Sequence, residues 1–138
     1  MVVVAGDVCE GAVNGFAGLR EIVPEGVPIV IMVMGNHEYY HRTYPEELRL
    51  ARAGTARFGV HLLENEAVVL AGVRFAGATP WIDYAIFGAG SEIHPMAVCR
   101  DRMNDHRRIT WRKQPWLRLR PQEALGLHHV RVWRDRGT

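Results

Sequence analysis

An α/β fold opening on a parallel β-α-β unit is what the sequence predicts, and three observations carry it. Two short apolar runs, residues 2–5 and 28–34, have no polar interruption, as strands covered on both faces do. Between them, residues 14–23 place Phe16, Leu19, Ile22 and Val23 at helical spacing, with Pro24 and Gly26 to stop the helix. Strand, helix and strand within about 35 residues form a unit whose crossover is right-handed and whose strands are parallel.

The later elements follow from local chemistry. Thr43-Tyr44-Pro45-Glu46 has the pattern of a capping box with an early proline and predicts a helix to Arg57, with Leu48, Ala51 and Phe58 inward. Residues 60–63 predict a strand. Residues 67–70 and 73–76 flank Ala71-Gly72 as an antiparallel hairpin, although that dipeptide is a weak turn signal. Residues 77–84 leave the hairpin as a loop rich in aromatics. Beyond residue 90, residues 96–108 read as helical, W-R-K-Q-P-W-L-R-L-R-P is broken by Pro115 and Pro121, and Pro121 opens a last helix through Trp133.

Composition narrows the class. A chain of 138 residues, 48% of them hydrophobic, can remove about two-thirds of its unfolded surface from water and build a real core. No apolar run approaches the roughly 20 residues that cross a bilayer, so no membrane partner is expected. The start, M-V-V-V-A-G-D, has neither a basic region nor a cleavage-like site, which argues against a signal peptide. Cys9 and Cys99 are far apart and outside any CxxC pattern, so the expected setting is a reducing cytoplasm. The small net charge hides an asymmetry. Residues 1–99 hold six arginines against eleven acids, a net −5; residues 100–138 hold ten arginines and one lysine against four acids, a net +7. With the turn-forming F-G-A-G-S at 87–91, this divides the chain into a core portion, 1–90, and a basic, Trp- and Arg-rich helical tail of the same domain, 91–138.

Parallel strands point their carboxyl ends the same way, so Asp7, after the first strand, and Asn36-His37, after the second, emerge at one sheet edge, where ligand sites of open α/β sheets lie. Carboxylate, amide and imidazole suit Mn, Fe, Zn and similar divalent ions. Two such ions assist phosphate ester hydrolysis by binding phosphoryl oxygens and activating water, and a nearby imidazole can protonate the leaving alkoxide.

A-G-D-V-C-E-G followed by V-M-G-N-H-E resembles the second and third blocks of the calcineurin-like metallophosphoesterases. The resemblance runs to about Tyr84, and the 77–84 loop resembles bacterial members. It implies a two-sheet β-sandwich flanked by helices (αββα), of which this chain is part, and hydrolysis of small-molecule phosphomono- or phosphodiesters at a dinuclear Mn, Fe or Zn site. By position, Asp7 bridges the two metals, Asn36 binds one, His37 acts beside the phosphate, and Glu38 supports the loop. The family's earlier D-x-H block and later G-H-x-H block are absent; residues after 90 offer His94, His106, His128 and His129 instead. The chain is therefore expected to be the middle portion of the family domain. Its own donors are too few to hold two metals firmly, and it is expected to be weak or inactive in isolation.

Competing explanations stand beside each residue. Asp7 can be a helix cap, Asn36 a left-handed turn residue, and His37 a loop imidazole bonded to backbone. His41 reads as exposed, His61 as structural, and Asp105-His106 as a further candidate near substrate. Trp111, Trp116 and Trp133 among arginines allow a second function, nucleic-acid binding by stacking and phosphate contacts. The plainer account is a tail that packs its tryptophans and solvates its arginines. A third reading is a non-catalytic relative that associates through an open strand edge.

Overall fold

The computed structural model describes residues 1–24, 27 and 30–135, with side chains as far as Val130. Among them the chain is mixed α/β, with five α-helices and three small sheets. The opening unit is as expected. β1 (Val2–Val4) and β2 (Val30–Met32) are parallel, Val2 facing Val30 and Val4 facing Met32, and α1 (Ala12–Ile22) connects them. α2 (Tyr44–Phe58) returns the chain to β3 (Val60–Leu62), also parallel, so the sheet order is β1-β2-β3. Pro28 and Ile29, expected in the second strand, and Gly26 lie outside the described residues.

Only the central strand matches the expectation of cover on both faces: Val30, Ile31 and Met32 are all buried. β1 is an edge strand, and Val3 is 61% exposed. Its unbroken apolar run reads as a strand covered on both faces, but among the described residues nothing covers the face that carries Val3.

Helix ends are settled partly by local and partly by distant groups. Gly59 takes the left-handed conformation, φ 58°, and closes α2. Thr43 is the extended N-cap of α2 with Pro45 in the first turn, but its side chain makes no capping bond and Glu46 pairs with Lys113. The capping box is thus only half realised. α1 starts after Gly11 without a side-chain cap of its own.

The remaining sheets are hairpins. β4 (Glu66–Leu70) and β5 (Val73–Gly77) pair antiparallel, with Ala71 at φ 50° and Gly72 at φ 77° in the turn. Two positive φ values are what a two-residue hairpin needs to match strand twist. The stretch expected as one helix over 96–108 is two: α3 (Ile93–Arg102) and α4 (Asp105–Arg108), parted where Met103 is extended at φ −81°, ψ 137°. The stretch around Pro115, expected to be irregular within a helical tail, is a third sheet. β6 (Thr110–Lys113) and β7 (Trp116–Arg118) pair antiparallel across Gln114-Pro115. α5 (Pro121–Asp135) follows as expected.

One buried cluster joins the two portions of the chain. Phe16 and Leu19 of α1, Val30 and Met32 of β2 and Ala51 of α2 belong to it together with Ile109, Leu119 and Ala124. Among the described residues, no helix is long and apolar enough to cross a membrane.

Candidate functional site

The site forms where β1 and β2 end. Leaving β1, Gly6 turns at φ 87° and Asp7 itself sits at φ 57°, a region that aspartate tolerates better than most residues but rarely occupies. Gly35, leaving β2, lies against this turn so closely that a Cβ on it would be 2.1 Å from Asp7 Oδ1. Both glycines are therefore required by the approach of the two loops.

Glu38 fixes that approach. It is fully buried, and its carboxylate accepts three backbone N–H groups: Asp7 at 3.0 Å, Val8 at 2.7 Å and Gly35 at 2.7 Å. One side chain clamps both strand exits, the supporting role expected for it. Asp7 Oδ1 in turn accepts the backbone N–H of His37 at 3.0 Å. The carboxylate does cap a backbone group, but on the short 3-10 turn His37–Tyr39 rather than on α1.

Asn36 is right-handed, φ −75° and ψ −26°, so the left-handed-turn explanation for it does not hold. Its Nδ2 donates to Asp105 Oδ1 at 2.7 Å and to Tyr40 Oη at 3.0 Å, and Tyr40 Oη donates to the same Asp105 oxygen at 2.9 Å. Burial first, and then the bond to Asp105, push the Tyr40 hydroxyl up to about 12, so it remains a donor at neutral pH. The His37 ring is exposed and packs on the Tyr40 ring, centroids 4.7 Å apart. The explanation of His37 as an imidazole bonded to backbone has no hydrogen bond from its ring to support it among the described residues. Arg108 lies over the Tyr40 ring, 5.4 Å from its centroid.

Asp7, Asn36 and Asp105 share a cleft of about 230 Å³ whose other wall includes Pro80, Trp81, Ile82 and Met103. Glu64 holds that wall by accepting from the Thr79 backbone at 3.1 Å and from its hydroxyl. Of the pair singled out in the sequence, Asp105 reaches the cleft while His106 is buried behind it. His106 Nδ1 lies 2.9 Å from the Leu119 carbonyl and Nε2 3.1 Å from Tyr84 Oη. The carbonyl can only accept, so Nδ1 carries a proton; in that tautomer Nε2 is the acceptor for the Tyr84 hydroxyl. His128 Nδ1 likewise donates to the Trp81 carbonyl at 2.8 Å, and His41 is an exposed partner of Glu10 at 2.9 Å. Tyr40 and Arg108 went unnoticed in the sequence; only the doubled tyrosine after the motif could have pointed to the first.

The Asp7 carboxylate and the Asn36 amide are oxygen donors of the kind that divalent cations take, and both line the cleft. Two such side chains are too few to hold two cations. Among the described residues no group of three or more His, Cys, Asp or Glu side chains is placed to hold a metal ion. In the basic portion, Trp111 stacks on Tyr44 at 5.3 Å, whereas Trp116 is 59% exposed with Arg118 over its ring. The Trp133 side chain lies outside the described residues. No family model, curated protein or solved structure matches the chain.

Proposed function

We propose that the cleft belongs to a metal-dependent phosphoesterase of the metallophosphoesterase type, acting on phosphomonoesters or phosphodiesters. The supporting observation is that Asp7 and Asn36 leave neighbouring parallel strands and line one cleft, with the His37 backbone bonded to Asp7. On this reading the three-stranded sheet and the β4-β5 hairpin are part of that family's two-sheet sandwich, and Cys9 and Cys99 are free thiols of a cytoplasmic protein.

A bound divalent cation, Mn, Fe or Zn, supplies charge neutralisation at the phosphoryl group. Asp7 would hold it by its carboxylate, and Asn36 would add an oxygen without adding charge. The His37 imidazole, packed on Tyr40, would donate a proton to the alkoxide that leaves as water attacks phosphorus. Pro80, Trp81 and Ile82 also line the cleft.

The test is hydrolysis of p-nitrophenyl phosphate and its bis ester with added Mn²⁺. Turnover should appear with Mn²⁺ and vanish with a chelator or in Asp7→Ala. His37→Ala should lower kcat by about 100-fold or more. Turnover that survives both substitutions overturns the assignment. The shortage of donors for a second cation favours one rival, a non-catalytic relative, for which calorimetry would find neither Mn²⁺ binding nor turnover.

A further inference from the structure

The amide of Asn36 has a defined direction. A carboxylate can only accept, so the group facing Asp105 Oδ1 at 2.7 Å must be the NH₂. Tyr40 Oη, 3.0 Å from the same nitrogen, gives its own proton to Asp105 at 2.9 Å and so accepts from Asn36. The amide nitrogen donates to both oxygens of this triangle, and Oδ1 is left as the atom turned away from it. Asp105 comes from α4, 69 residues along the chain, and is 8% exposed. Buried polar groups in such closed arrangements hold one rotamer more firmly than any single bond would.

We propose that Asp105 is a positioning residue: with Tyr40 it holds the amide nitrogen of Asn36 and so leaves the Asn36 oxygen turned towards a divalent cation in the cleft. The cation itself rests on the reading under Proposed function; the orientation of the amide does not. Groups that orient a metal-binding side chain in this way commonly change metal affinity by about 10–100-fold when removed. Tyr40 serves in the same triangle, its ring against His37 and its hydroxyl on Asp105, so amide and imidazole are held by one tyrosine.

Two measurements on the full chain test this. In the metal-free protein, the Asn36 side-chain NH₂ protons should be slow to exchange with water, and the side chain rigid by ¹⁵N relaxation, in wild type and in Asp105→Asn, which keeps an acceptor at Oδ1, but fast to exchange and mobile in Asp105→Ala. Equal mobility in wild type and Asp105→Ala overturns the proposal whether or not metal binds. For Mn²⁺ titrated and followed by electron paramagnetic resonance, Asp105→Ala should weaken binding roughly 10–100-fold, and Asp105→Asn should recover most of that loss. In an Asn36→Ala background, adding Asp105→Ala should change affinity by less than about twofold, because the two act as one unit. Additive losses, or equal losses in Asp105→Asn and Asp105→Ala, would mean that Asp105 acts directly and not through Asn36. If Asp105→Ala does not fold, Tyr40→Phe removes one contact of the triangle and should give a smaller loss of the same kind. An ordered amide with no Mn²⁺ binding would sink the phosphoesterase reading and leave the orienting triangle standing.

Discussion

Glu38 is a fully buried carboxylate whose partners are all backbone N–H groups. A single charge taking three charge-assisted bonds can be held in the interior, because each bond is worth about 1.5–3 kcal/mol. Glu38→Gln keeps the shape but turns an NH₂ towards one set of donors, and should cost roughly 2–3 kcal/mol. Glu38→Ala strands all three N–H groups and should cost about 3–5 kcal/mol, read by urea unfolding. A Glu38→Gln variant as stable as wild type would refute the clamp. Gly35 acts on the same junction by volume. Gly35→Ala places a methyl 2.1 Å from Asp7 Oδ1 and 2.8 Å from its backbone nitrogen, neither of which can yield without moving the strand exit. We expect a loss of about 1–3 kcal/mol together with displacement of the Asp7 carboxylate, visible as a shift of its carboxyl carbon resonance.

Between elements, the same economy appears at the start of α1. Gly11 brings no side chain to the first turn, and Glu47 Oε1 from α2 accepts the Ala12 N–H at 2.8 Å. A buried anion at a helix N-terminus meets both the orphan donors and the positive end of the dipole. Glu47→Ala should cost about 1–2 kcal/mol, measured by thermal unfolding; a change near zero would mean that water caps the helix equally well. This pairing spans 35 residues, and its length explains what the sequence could disclose. The β-α-β unit and the β4-β5 hairpin were legible because periodicity and turn residues are local. The same holds for Asp7, Asn36 and His37, since parallel strands must bring their carboxyl ends to one edge. The meeting of Asp105 with Asn36 depends on where α4 docks, and no local pattern encodes that. The β6-β7 hairpin was hidden for a different reason. Both its strands carry arginines or lysine beside tryptophan, and Trp116 and Lys113 are largely exposed, so no alternation marks a buried face. The split between α3 and α4 was missed because no proline or glycine marks Met103-Asn104.

At the scale of the whole molecule, a set of aromatic hydroxyls joins the two portions of the chain. Tyr39 stacks on Tyr44 at 4.8 Å, Tyr44 stacks on Trp111 at 5.3 Å, Tyr40 reaches Asp105, and Tyr84 reaches His106. Burial is the first cause that raises the pKa of all four tyrosines, Tyr40 to about 12 and the other three further. For a phenol the raised value means that the folded state keeps a proton which the unfolded chain, with its ordinary value of 10.0, releases. The unfolded state therefore binds fewer protons above that pH, and the slope of stability against pH is negative there. The contribution is fully present below pH 10.0 and is lost as pH rises towards the folded-state values, so for Tyr40 the window runs from 10.0 to about 12. Thermal unfolding should accordingly show little tyrosine-linked change below pH 9.5 or so and a steep fall in Tm above about pH 10. Tyr40→Phe removes one titrating group, so its Tm should fall less steeply over the same interval, though from a lower start because Asp105 loses a donor. A Tm that stays level to pH 12, or a Tyr40→Phe curve parallel to wild type, would mean that these hydroxyls ionise as freely in the folded protein as in the open chain.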